Sequence, residues 1–259
     1  VRRPLHLPER PHLRYLPETG STNLVACEWA RAGGPDGACV VADAQTAGRG
    51  RLGRRWCSPP GVNLYCSLIL RPPEAALGLA PLAGGLATRE AVAACLPPEF
   101  PAMLKWPNDV RVRGLKLAGV LAVLVADCEP RAVVVGVGLN VNMRPDQFPP
   151  DLRQPAGSLA MLLGHELDRT ACLAALLEAL DAWRTRLGAD PGSIVPAFAA
   201  RCETLGQRVR LKRPGAPALE GLARGLAPGG ELELRDDAGQ VHLIAAGDLA
   251  APAFSPGRS

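Results

Sequence analysis

The stretch GRGRLGRRW, residues 48–56, places four arginines and three glycines in nine positions. Guanidinium groups carry forked donors that match carboxylate and phosphate oxygens, and glycine lets backbone come close to a ligand. Beside a plain solvated loop, two chemistries fit: the loop grips nucleic-acid phosphates, or it folds over a small phosphorylated ligand. A general polyanion surface would spread its charge along the chain, whereas 29 Lys and Arg against 25 Asp and Glu leave a net charge of only +4. The basic character is local, which favours the small ligand. Trp56 is suited to stack on a base or to hold the loop down. Gly48, Gly50 and Gly53 also spell GxGxxG, but the dinucleotide fingerprint needs a strand running straight into a helix. Polar AQTA precedes the loop and CSPPG follows it, so the match is accidental.

Other residues of the right type lie upstream and downstream. In KWPNDV (105–110), Asn108 and Asp109 stand at a strand end, where an oxygen pair serves either as a Mg²⁺ or ribose contact or as a simple Asx turn. Lys116, between Leu115 and Leu117, either snorkels to the surface or points into a pocket. Asn140 and Asn142 alternate with apolar residues in GVGLNVN, and a buried amide there must hydrogen-bond a ligand or a loop. GSTN (20–23) supplies hydroxyls and an amide at a helix start, where N-capping is the ordinary use. Gln45 precedes the arginine loop.

Regular elements must position these groups. A helix is expected from Ser21 to about Arg31, with strands at ACVVAD (38–43) and NLYCSLIL (63–70). An Ala/Leu-rich buried helix covers Ala75 to Cys95, started or bent by Pro81 and Gly84–Gly85. AMLKW, KLAGVLAVLVAD and AVVVGVGLNVN read as strands of one sheet. Leu173, Leu176, Leu177, Leu180, Trp183 and Leu187 share one face of a helix over 170–187, and a further helix covers Ser193 to Leu205. Beyond Gly206, short alternating runs between PGAP, PGG and DAG turns fit a small barrel, with a boundary near 204–207. The fold class is therefore α+β. Residues 1–18 and the terminal PAFSPGRS are expected to be loosely held. Eight scattered cysteines without a CxxC pair, and no apolar run of membrane-spanning length, point to a cytoplasmic protein with reduced thiols and no zinc site.

In this order, STN, QTAGRGRxGRxW, SPxGxNLY, KWPND, KLAG and GxGxNVN resemble the biotin protein ligase family, the biotin–[acetyl-CoA-carboxylase] ligases. The resemblance is dense from Thr19 to Asn142 and looser beyond. It implies a class II synthetase-like catalytic domain over 19–205, a central mixed β-sheet with packed helices, and a C-terminal SH3-like β-barrel over 206–254. It also implies the reaction: biotin and ATP as substrates, Mg²⁺ as companion ion, biotinyl-5′-AMP as intermediate, and a lysine of a carboxylase's biotin carrier domain as acceptor. By similarity Ser21, Thr22, Asn23 and Gln45 meet biotin's ureido ring, with Gly48, Arg49, Gly50, Arg51 and Lys116 completing the biotin site. Arg49, Arg51, Arg54, Trp56, Asn108, Asp109, Lys116 and Asn140 face ATP. Arg51, Lys116 and Asp109 are the expected catalytic set, and Asp109 holds Mg²⁺ or positions the acceptor amine. The family also suggests a homodimer. About twenty residues precede STN, too few for a helix-turn-helix, so neither DNA nor a membrane is an expected partner. Cys57 and the AAGD run (245–248) depart from the family pattern. The rival readings are a lipoate or octanoate ligase or transferase, a basic nucleic-acid-binding module, and an idle biotinyl-AMP sensor.

Overall fold

The computed structural model describes residues 5, 7, 9–212 and 217–250. In chain order the elements are β1 (Leu13–Leu16), α1 (Thr22–Arg31), β2 (Cys39–Ala42), β3 (Leu64–Leu70), α2 (Ala80–Ala94), β4 (Met103–Lys105), β5 (Asp109–Val112), β6 (Leu115–Val125) and β7 (Ala132–Leu139). There follow α3 (Leu159–Leu163), α4 (Arg169–Ala189), α5 (Ile194–Ala199), β8 (Arg208–Lys212), β9 (Leu219–Leu226), β10 (Leu232–Arg235), β11 (Val241–Ile244) and β12 (Asp248–Ala250).

The first seven strands form one mixed sheet in the order β1-β2-β3-β7-β6-β5-β4. Only β1 and β2 run parallel; the other neighbours are antiparallel. The two central strands, LYCSLIL and AVVVGVGL, are apolar along almost their whole length because both faces of the sheet are covered. Val133, Val135, Val137 and Leu139 turn toward α2 and α4 in the larger core, while Ala132 and Val134 join Ala26, Ala30, Val40 and Ile69 under α1. Pro81 opens α2 from its first turn, where a missing N–H is harmless, and Gly84 and Gly85 lie on its buried face without breaking it.

Two expectations change in detail. Residues 13–16 are not loose: they pair in parallel with β2, and Arg14 stacks 3.7 Å from the Trp29 ring. A four-residue strand with one arginine has too little pattern to announce itself, and its partner supplies the order. The helix expected over 193–205 is a 3₁₀ turn, Pro191–Ser193, followed by the short α5. The chain then leaves the helix to pair with β4, the Glu203 and Leu104 amides donating to the Leu104 and Arg201 carbonyls at 2.8 Å each. Finally, the C-terminal strands form the small antiparallel unit expected of an SH3-like domain, in the order β11-β10-β9-β8-β12, with the ladder open between β11 and β12. PAFSPGRS and most of the PGAP turn lie outside the described residues.

The two sheets meet at Trp106. Its backbone N–H donates to Thr204 Oγ1 at 2.9 Å, and its indole N–H donates to the Gly230 carbonyl at 3.0 Å. All eight cysteines are free thiols. Among the described residues no helix is long and apolar enough to cross a membrane.

One contact ties helix to sheet under α1. A Cβ on Gly136 would stand 1.8 Å from Asn23 Oδ1, so the amide occupies the space a side chain would need. Gly136→Ala is expected to lower stability by about 1–3 kcal/mol, because strand backbone and buried Asn23 must both shift. A thermal melt of the variant checks this; an unchanged midpoint would show that Asn23 is not wedged there.

Candidate active site

Register alone lays out the site. On the α1 face of the main sheet, one row of partners runs Val40, Ser67, Gly136, Leu121, and the row two residues along runs Ala42, Tyr65, Gly138, Gly119, Asp109. Directly paired residues point to the same side of a sheet, so each row is a line of neighbours across four or five strands. The glycines leave both rows without side chains at their middle.

The groups that gather over the first row are polar and uncharged. Ser67 Oγ lies 2.8 Å from Thr22 Oγ1 and 2.6 Å from Asn23 Oδ1, and Asn23 Nδ2 donates to the Leu121 carbonyl at 3.0 Å. Gln45 Oε1 accepts from the Thr22 amide at 2.9 Å and the Thr22 hydroxyl at 3.2 Å. Gln45 therefore caps α1 from another segment, while Ser21, standing at the N-cap position, makes no side-chain cap bond. Thr22, Asn23 and Gln45 do converge, together with Ser67 and Ser58, which the sequence reading missed, and Ser21 is buried next to Thr22 without a side-chain bond to them.

The second row lies beneath the arginine loop. The loop is a small clip: Arg49 and Arg55 form an antiparallel bridge, the Trp56 amide donates to the Gly48 carbonyl at 2.9 Å, and the Gly50 amide to the Arg54 carbonyl at 2.7 Å. Its tip is a 3₁₀ turn, Arg51–Gly53, with Leu52 at φ 56 and Gly53 at φ 72, both left-handed. Gly48 is pressed against the Ser58 hydroxyl and the Trp56 carbonyl, where a Cβ would sit 2.6 Å from each. From the clip, Trp56 lays its indole on the bare floor: a Cβ on Gly138 would come within 2.4 Å of it, and one on Gly119 within 3.0 Å. The indole N–H is buried there without a hydrogen-bond partner.

Charge gathers at the Asp109 end. Lys116 Nζ pairs with Asp109 Oδ1 at 2.5 Å and stands 5.2 Å from the Trp56 ring centre. Gln154 Nε2 donates to Asp109 Oδ2 at 2.7 Å, and Lys105 Nζ donates to Gln154 Oε1 at 3.1 Å. Arg51 donates to Asn108 Oδ1 at 3.2 Å and reaches toward the Gly247 carbonyl, 3.5 Å away in the C-terminal sheet. Burial pushes the Arg51, Arg54 and Lys105 pKa values down, in Arg54 reinforced by the neighbouring Arg153. A partly desolvated group of cations this dense favours an anionic ligand. Arg49 remains exposed at the rim.

Asn140 is tied to neighbouring segments. Its Nδ2 donates to the Gly157 carbonyl at 3.0 Å and its Oδ1 faces Asn63 Nδ2 at 3.4 Å, while Asn142 is held by both polar groups of Leu167. Both buried amides order loops. The buried Arg169, paired with Asp43, was also unforeseen from sequence. The missed Ser67 carried no signal in an apolar strand, whereas two glycines at a spacing of two on a Val-rich strand, Gly136 and Gly138, do mark a close approach.

The Biotin/lipoate A/B protein ligase family model matches residues 17–140, and the Biotin protein ligase C terminal domain model matches 204–249. A biotin–[acetyl-CoA-carboxylase] ligase of Mycobacterium tuberculosis is 38% identical over 246 residues, 92% of this chain and 88% of the relative. Its counterpart in Paracoccus denitrificans is 35% identical, over 89% of this chain and 97% of the relative. The Aquifex aeolicus biotin protein ligase in complex with biotin and ATP superposes with a TM-score of 0.77 at 33% identity, covering 92% of this chain and 97% of that one. The chain belongs to the biotin protein ligase family.

Gly138→Ala is expected to lift the Trp56 indole off the sheet, since the strand beneath it is fixed on both sides. Acrylamide quenching should then report one more accessible tryptophan with the fold intact, and the same change in a Trp56→Phe background should leave quenching unaltered. Equal quenching of Gly138→Ala and the parent would mean that the indole does not depend on that floor.

Proposed function

We propose that this chain activates biotin with ATP and passes it to a lysine of the biotin carrier domain of a carboxylase. The observation that carries this reading is the adjacency of the two rows: an uncharged hydrogen-bonding cluster beside a glycine floor with cations gathered at its Asp109 end. A ureido ring has one carbonyl acceptor and two N–H donors, which hydroxyls and amides complement without charge. The carboxylate at the far end of the same molecule then falls toward Arg51 and Lys116.

In the first step that carboxylate attacks the α-phosphorus of ATP and pyrophosphate leaves. Like charges must be neutralised before they meet, and Arg49, Arg51, Arg54 and Lys116 supply the positive field. Trp56, whose indole N–H has no partner, is the group suited to turn from the glycine floor toward the adenine. In the second step the carrier lysine's amine attacks the acyl carbon of the mixed anhydride and AMP leaves. Asp109 stands where it can orient or accept a proton from that amine, and Asn108 holds Arg51 in place. Magnesium enters with the nucleotide, as Mg–ATP. Both Asp109 oxygens are already engaged, and among the described residues no group of three His, Cys, Asp or Glu is placed to hold a metal. The residues present do not fit a resident Mg²⁺ site, and no step above is routed through one.

Pyrophosphate release with Mg–ATP should be a burst with biotin alone and steady turnover once a biotin carrier domain is added. Release with lipoate or octanoate instead would transfer the assignment to the sister activity and remove Ser21, Thr22 and Gln45 as ureido partners. Arg51→Gly should slow adenylate formation by about 10²-fold and loosen the retained biotinyl-AMP, so that bystander lysines become labelled. Slower but still carrier-selective labelling would refute a retention role for Arg51.

A further inference from the structure

We infer that Gln154 is a positioning residue for this reaction, acting through Asp109; the inference rests on the ligase reading above. Gln154 sits in a segment that has no helix or strand of its own and is exposed at Asp151, Leu152, Arg153 and Pro155, yet Gln154 itself is half-buried. The segment is not free to wander. The Lys116 amide donates to the Pro155 carbonyl at 2.9 Å, the Gly157 amide donates to the Lys116 carbonyl at 3.1 Å, and Asn140 holds the Gly157 carbonyl. Residues 155–157 thus run as an extra rung beside Lys116, and the chain delivers the Gln154 side chain directly behind Asp109.

There it joins a cation to an anion. A side-chain amide is neutral, yet it accepts from an ammonium and donates to a carboxylate at the same time. Lys105 on Oε1 fixes which end of the amide faces Asp109. The consequence concerns Lys116. An arriving carboxylate or phosphate competes with Asp109 for the Lys116 ammonium, and when Lys116 turns, Asp109 Oδ1 loses its partner. The bond from Gln154 to Oδ2 keeps the carboxylate in register through that exchange, so Lys116 changes partner while Asp109 stays in place. Leucine at 154 fills the space without donating, and glutamate turns a carboxylate toward Asp109.

The test compares the parent chain with Gln154→Leu, Gln154→Met and Gln154→Glu, measuring steady-state biotin-dependent pyrophosphate release with Mg–ATP and a biotin carrier domain, and thermal melting. Leu and Met should each lower kcat about tenfold, the loss expected for one hydrogen bond to a charged group, with the KM for biotin within about twofold and the melting midpoint retained. Glu should lower kcat further than either. Unchanged kcat in Leu and Met overturns the inference. So does a kcat loss that comes with an equal rise in the biotin KM and a lowered midpoint, the pattern of a collapsed pocket. If the wild type itself releases no pyrophosphate with biotin, the ligase reading fails and takes this inference with it; if only the variants behave as wild type, the inference alone fails.

Discussion

The site depends on a steric constraint: the α1 face of the main sheet lacks side chains at Gly136, Gly138 and Gly119. Gly136 makes room for Asn23, which brings the start of α1 down onto β3 and β6 through Ser67 and the Leu121 carbonyl. Gly138 and Gly119 make room for Trp56, and with it for the whole arginine clip, whose ends are tied by Gly48 and Trp56. A single methyl at these positions would push one of the two elements away. The helix N-terminus and the loop are therefore held to adjacent rows of the sheet by what the strands omit.

On that surface, chemistry is sorted by row. Hydroxyls and amides satisfy one another around Thr22, Asn23, Gln45 and Ser67, so this half is rigid and carries no net charge. Two residues along the strands, cations gather at the edge of the glycine floor, and burial works against Arg51, Arg54 and Lys105 holding their charge. A bound anion relieves that cost. The neutral half suits recognition of a fixed shape, and the charged half suits a group whose charge changes during reaction.

How far the sequence disclosed this varies residue by residue. The arginine loop was legible because its composition departs so sharply from its flanks, and its prolines and polar flanks excluded the helix of a dinucleotide fold. Lys116 and Asp109 were legible as residue types out of place, although nothing in KWPND or KLAG reveals that they pair with each other. Ser67 was not legible, since a serine within LYCSLIL looks like tolerated variation until the register sets it opposite Asn23. Gln154 lies in a stretch without periodicity, and its partners come from strands 45 and 49 positions away. Asn140 shows the opposite limit: that it needed a partner was readable, but not that the Gly157 carbonyl would be one, at 3.0 Å. In the C-terminal sheet Gly247 meets Leu211 so closely that a Cβ would stand 2.1 Å from it, which lets the turn before β12 pack against β8.

The short turn KWPND joins all of these parts. Lys105 closes β4 and leads through Gln154 to Asp109; Trp106 reaches Thr204 and Gly230 and anchors the C-terminal sheet; Asn108 receives Arg51 from the clip; Asp109 opens β5 and holds Lys116. Arg51 points at the same time toward the Gly247 carbonyl, the glycine of the AAGD run that departs from the family pattern. A displacement of the C-terminal sheet therefore reaches the arginine clip by two routes, through the Trp106 anchor and through the Gly247 carbonyl. Both end within one turn of the Lys116–Asp109 pair. The contribution of the C-terminal sheet is to hold the turn from which the charged groups project.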